Sequence, residues 1–121
     1  MNHALLYIED NESNISLIEA LLRRRPQIEL HVAMNGDDGV SAAMDVQPNL
    51  ILLDNRLPDA TGGEILQKLS SASGTAAIPV IVFTGDSDEV IDELLTNGAA
   101  ESIKKPFNLR QFMSILDRYF P

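Results

Sequence analysis

At 121 residues, 45% hydrophobic and 22% charged, the chain has the size and composition of one globular domain, and residues 1–121 are read as a single unit. Nine basic residues against eighteen acidic ones leave a formal charge of −9, which repels a nucleic-acid backbone, and no apolar run approaches the roughly 20 residues that cross a bilayer. Neither a nucleic-acid nor a membrane partner is therefore expected. The absence of cysteine excludes disulfides and thiolate metal sites, and no secretory signal pattern opens the chain, which fits a cytoplasmic protein.

In chain order, Ala4 to Ile8 is an apolar run that predicts a buried strand. A helix follows, with Ile15, Ile18, Leu21 and Leu22 on one stripe until Pro26 stops it. The arginine run 23–25 reads as the solvated end of that helix, where cations complement the helix dipole. Ile28 to Ala33 alternates as a second strand, Asn35-Gly36 is expected to turn the chain, and Val40, Ala43 and Met44 mark a short helix closed before Pro48. Leu50 to Leu53 gives a third strand that ends on a carboxylate, Asp54. Thr61-Gly62-Gly63-Glu64 matches a capping box and opens a helix on Ile65, Leu66 and Leu69, after which Ser70 to Ala77 is expected as a mobile loop.

Pro79 to Phe83 is a fourth buried strand, ending in Thr84-Gly85-Asp86. Val90, Ile91, Leu94 and Leu95 form a helical stripe terminated by Asn97-Gly98. Glu101 to Lys104 is a weaker fifth strand, and Asn108 caps a last helix on Leu109, Phe112, Ile115 and Leu116. Five strands alternating with five helices imply right-handed crossovers and an α/β three-layer fold: a doubly wound parallel sheet with helices on both faces.

Ligands bind such sheets beyond the carboxyl ends of the strands. There the chain places Glu9 and Asp10 after the first strand, Asp54 at the third, Thr84 at the fourth and Lys105 after the fifth. Three carboxylates on one edge repel, and a single lysine leaves two negative charges that one divalent cation would neutralise. An all-oxygen site selects Mg²⁺, Mn²⁺ or Ca²⁺ over zinc. A carboxylate nucleophile, a metal, a lysine and a hydroxyl together suit phosphoryl transfer.

The segments Leu5-Leu6-Tyr7-Ile8-Glu9-Asp10-Asn11, Leu50 to Pro58 with Gly62, Val80 to Gly85, and Lys105-Pro106-Phe107 together resemble the receiver domain of two-component response regulators, along essentially the whole chain. The resemblance implies a flavodoxin-like sheet in strand order 2-1-3-4-5. It also implies that Asp54 accepts a phosphoryl group from a phosphohistidine on a kinase or phosphotransfer protein. Mg²⁺, with Mn²⁺ as a substitute, would be held by Asp10, Asp54, the Arg56 backbone carbonyl and, through a water, Glu9. Lys105 and the Thr84 hydroxyl would meet phosphoryl oxygens, and the Gly85 amide would be open to approach. The expected output is a change in protein–protein contacts, by a monomer or a phosphorylation-dependent dimer, either freestanding or as the receiver of a hybrid histidine kinase.

Ser102 stands where receivers commonly carry an aromatic residue, so the surface response is expected to be smaller or placed elsewhere. Arg56 and Asp86 are expected to flank the route of the hydrolytic water. His3 and His31 have no motif around them and read as structural or surface residues. Three other readings compete: a receiver-like scaffold that takes no phosphate, a flavodoxin-like cofactor binder, and a metal-dependent phosphohydrolase. The complete acidic set weighs against the first. Glu9-Asp10-Asn11-Glu12, in place of a hydroxyl- and glycine-rich phosphate loop, weighs against the second. Arg56, where a second catalytic acid would stand, weighs against the third.

Overall fold

The structure is a computed structural model and describes residues 3–106 and 108–121. The elements are β1 (Ala4–Ile8), α1 (Glu12–Leu22), β2 (Glu29–Ala33), α2 (Gly36–Val46), β3 (Leu50–Asp54), α3 (Gly62–Ser71), β4 (Val80–Thr84), α4 (Asp88–Thr96), β5 (Glu101–Lys104) and α5 (Leu109–Tyr119). All strand pairs are parallel, in the order β2-β1-β3-β4-β5. The expected doubly wound sheet is therefore present, with its helices divided between the two faces.

Every residue of β1, β3 and β4 is buried, because these strands carry helices on both sides. Their side chains alternate strictly between two cores. Leu5, Tyr7, Leu50, Leu52, Ile81, Phe83 and Ile103 meet Ile15, Ile18 and Leu22 of α1 and Phe112, Ile115 and Leu116 of α5. Leu6, Ile8, Ile51, Leu53, Val80 and Val82 meet Ala43, Ile65, Leu66, Leu69 and Leu94 from α2, α3 and α4. The chain leaves β1 toward β2 and returns past it to β3, so the carboxyl ends of β1 and β3 lie side by side where the winding reverses.

Four local expectations are corrected. Asn35-Gly36 starts α2 rather than turning the chain: the Asn35 side chain accepts from the Asp38 amide at 2.8 Å, and Asp59 accepts from the Gly36 and Asp37 amides at 2.6 and 3.0 Å. Met44 is 47% exposed, since the buried stripe of α2 is Gly36, Gly39 and Ala43. Ser70 and Ser71 are helical, and Thr75, 1% exposed, donates its hydroxyl to the Leu69 carbonyl at 2.6 Å, anchoring the segment that follows. Leu95 and Leu109 are partly exposed, at 38% and 45%, so α4 buries only Leu94 fully and α5 begins its buried apolar face at Phe112.

The capping box at Thr61 and the caps at Asn11 and Asn108 form as expected. Gly98 ends α4 at φ +116°, a conformation that disfavours any side chain. Phe107, expected to follow Lys105-Pro106 in the site motif, lies outside the described residues.

Candidate functional site

Only two residues separate the last residue of β1 from the cap of α1, and both are acids. The Glu9 amide donates to the Ala33 carbonyl at 2.9 Å, which carries the sheet one residue further, and Asn11 caps α1 through the Asn14 amide at 3.0 Å. Glu9 is thus held at the sheet edge, 1% exposed, while Asp10 faces solvent. Asp54, the last residue of β3, is 5% exposed beside them. One carboxylate oxygen from each of Glu9, Asp10 and Asp54 lies within 4.8 Å of the others.

Lys105 reaches this cluster from beyond β5 and sets its Nζ 3.1 Å from Asp54 Oδ1. The neighbouring Lys104 turns away to Asp88 at 3.0 Å. Alternation along the strand separates the two lysines. Thr84 ends β4, 1% exposed, and with Asp54, Asn55, Arg56, Gly85, Asp86 and Lys105 it lines an open cleft above the sheet. The five expected side chains, from four strand ends, therefore meet on one edge.

Glu9 is asymmetrically bound. Its Oε1 accepts from the Asn14 side-chain amide at 2.7 Å and from the Tyr7 hydroxyl at 3.2 Å, while Oε2 is buried with no hydrogen-bond partner among the described residues. Burial, followed by the adjacent Asp54 carboxyl, pushes the Glu9 carboxyl up to about 7, against the pull of the Asn14 amide. Burial and the same glutamate push the Tyr7 hydroxyl far above its usual value, so it stays a donor.

A second network joins the loops after β3 and β4. Asp86 Oδ2 accepts from the Thr84 hydroxyl and from the Asn55 amide, both at 2.6 Å, and Oδ1 accepts from Arg56 at 2.6 Å. The Asp86 amide donates back to Thr84 Oγ1 at 3.0 Å. The Thr84 hydroxyl, then Arg56 and Asn55, hold the Asp86 carboxyl well below the usual carboxylate range. Arg56 and Asp86 form one ion pair over the cleft, with Arg56 82% and Asp86 14% exposed at the side chain. The loop that carries Arg56 is closed by the Gly62 amide donating to the Asn55 carbonyl at 2.9 Å.

Sequence reasoning missed Tyr7, Asn14 and Asn55 as site neighbours. Tyr7 was legible in principle: it is a hydroxyl in an aliphatic strand, two residues before Glu9 and so on the same face. Ser102 pairs with Val82 in the sheet, with no ring at that position. His3 packs edge-on against Phe120 and His31 lies 3.1 Å from Glu29, each engaged elsewhere on the surface.

Residues 5–117 match the family model described as the response regulator receiver domain. The chain belongs to this family. As a receiver domain it is 28% identical over 120 residues to the polar-differentiation response regulator DivK of Brucella anthropi, covering 98% of this chain and 97% of that protein. It is also 28% identical over 120 residues to the hybrid signal transduction histidine kinase G of Dictyostelium discoideum, where the match covers 97% of this chain but 4% of the kinase. Among solved structures, the receiver domain of the sensor histidine kinase PA1611 from Pseudomonas aeruginosa PAO1 superposes with a TM-score of 0.86 at 27% identity, covering 98% of each chain. That structure has a magnesium ion coordinated in its active-site cleft. No helix among the described residues of the present receiver domain is long and apolar enough to cross a membrane.

Proposed function

We propose that this receiver domain, residues 1–121, is a phosphoacceptor in which Asp54 takes a phosphoryl group from a phosphohistidine on a histidine kinase or phosphotransfer protein. The observation that carries the reading is the meeting of a buried Asp54 with Lys105 at 3.1 Å and with oxygens of Glu9 and Asp10 within 4.8 Å. A structural ion pair has no use for two further acids.

The residues fit a hard divalent cation. Their donors are all oxygen, their formal charge is two negative units in excess, and Glu9 Oε2 is buried with no hydrogen-bond partner among the described residues. Asp10, Asp54, the Arg56 carbonyl and, through a water, Glu9 would hold Mg²⁺, with Mn²⁺ as substitute. When bound, the ion neutralises charge that develops on the phosphoryl oxygens.

Asp54 supplies the nucleophile. A carboxylate oxygen attacks phosphorus, the bond to the imidazole nitrogen breaks, and the nitrogen leaves with the electron pair. Lys105, already beside Asp54, follows the charge onto a phosphoryl oxygen. The Thr84 hydroxyl turns from Asp86 to another, and the Gly85 amide faces the same group. Water later attacks the acyl phosphate past Arg56 and Asp86, which set its access. The output is a changed affinity for a protein target in the cytoplasm, by a monomer or a phosphorylation-dependent dimer. The kinship with DivK and with a hybrid kinase supports either a freestanding regulator or a receiver within a longer chain.

Acetyl phosphate with Mg²⁺ is expected to add one phosphoryl group to the wild type, seen by intact mass, and none to Asp54→Asn. Equal labelling of the variant would refute the assignment.

A further inference from the structure

We propose that Tyr7 and Asn14 are positioning residues for the divalent-cation site, gripping one oxygen of Glu9 so that the other is presented to the ion or to its water. This rests on the Mg²⁺-assisted reading of the site.

Glutamate is a flexible choice for this place. Its carboxylate turns about three side-chain bonds, so a buried ligand oxygen keeps one direction only if something else fixes it. Two donors do so here, from two different elements. The Asn14 amide comes from the first turn of α1 at 2.7 Å, and the Tyr7 hydroxyl comes from within β1 at 3.2 Å. Both act on Oε1. Oε2 is left buried, with no hydrogen-bond partner among the described residues, beside two other carboxylates.

The geometry argues against simple satisfaction of a core hydroxyl. A buried polar group costs free energy unless bonded, and phenylalanine in place of Tyr7, 2% exposed, would avoid that cost altogether. Similarly, Asn14 lies on the flank of α1 next to the buried Ile15 and spends its amide on an acid whose one other donor among the described residues is the longer bond from Tyr7. Tyr7, Asn14 and Lys105 also line one shared cleft, so the clamp and the lysine approach the acidic cluster from the same side. Outer groups that orient a ligand in this way typically control about tenfold or more of a site's metal affinity.

The test is Mn²⁺ affinity of the unphosphorylated protein, followed by EPR of the free ion with Mg²⁺ competition. Asn14→Ala is expected to weaken binding about tenfold. Tyr7→Phe is expected to weaken it less, since its bond is the longer. In a Glu9→Ala background neither substitution should change the affinity further, an outcome that a general loss of packing would not produce. Tyr7→Phe keeps the ring in the core and guards against misfolding of the Asn14 variant, and melting in EDTA confirms that each protein is folded. Wild-type affinity in both single variants, or equal losses with and without Glu9, would overturn the clamp alone. Failure of the wild type to bind Mn²⁺ would overturn the clamp together with the site it serves.

Discussion

Glu9 carries a carboxyl pushed up to about 7, and the sign of the consequence is fixed. An unfolded glutamate loses its proton near ~4.3, whereas the buried one keeps it until about neutral pH. Between those values the native state holds the extra proton, so the stabilisation is complete below the lower value and is lost as pH rises through the upper one. In EDTA, urea unfolding is expected to show stability falling by on the order of 2 kcal/mol between pH 5 and pH 8. Glu9→Gln should flatten that slope, and an unchanged slope would remove Glu9 as its source. Asp86 has the opposite sign: its depressed carboxyl stabilises the fold above the ordinary carboxylate range and fails only in acid.

The loops after β3 and β4 are tied to each other through a single carboxylate. Asp86 holds Asn55 and Arg56 of one loop and Thr84 of the other, so the hydroxyl proposed to meet the phosphoryl group starts out committed elsewhere. Releasing a hydrogen bond to a charged group costs about 1.5–3 kcal/mol net, and Asp86 also repels an incoming anion. Both effects favour the phosphorylated geometry once Asp86 is removed. Asp86→Ala is expected to bind beryllofluoride at least about tenfold more tightly in the presence of Mg²⁺; equal or weaker binding, by fluorine NMR, would contradict the latch. At α2, packing and helix propensity compete. Alanine is favoured over glycine in a helix by ~1 kcal/mol, but a Cβ on Gly39 would lie 2.6 Å from Cδ1 and 3.0 Å from both Cγ atoms of Ile8, which is fully buried and would have to shift as a whole. Overpacking costs ~1–3 kcal/mol, so Gly39→Ala should destabilise the protein despite its propensity. Urea unfolding checks it, and Ile8→Val should recover part of the loss.

Across the molecule, what the sequence made legible was what one strand or one helix decides alone. Aliphatic runs located β1, β3 and β4, and the polar residue ending each run located Glu9, Asp54 and Thr84, because a side chain at the end of a buried strand has no layer to enter. Lys105 was legible by the same argument at β5. Contacts across elements were not. Asn35-Gly36 is a common turn pair, and it becomes a helix start through the Asn35 cap together with the Asp59 carboxylate arriving from another loop. Ser70 to Ala77 has only small or polar side chains, and its order comes from backbone turns around Ala72 and Thr75 and from the buried Thr75 hydroxyl on the end of α3. The Asp86 network and the grip of Tyr7 and Asn14 on Glu9 likewise depend on side chains that meet only once the sheet is wound.

Asp54, and no other group, is proposed to carry the phosphoryl group under a divalent cation. Borohydride reduces an acyl phosphate and marks the residue that bore it, so labelling with acetyl phosphate, reduction and peptide mapping reads the site directly. The expected result is homoserine at position 54 alone, formed with Mg²⁺ and absent in EDTA. Modification at another acid, or none at 54 in the presence of Mg²⁺, would contradict the account.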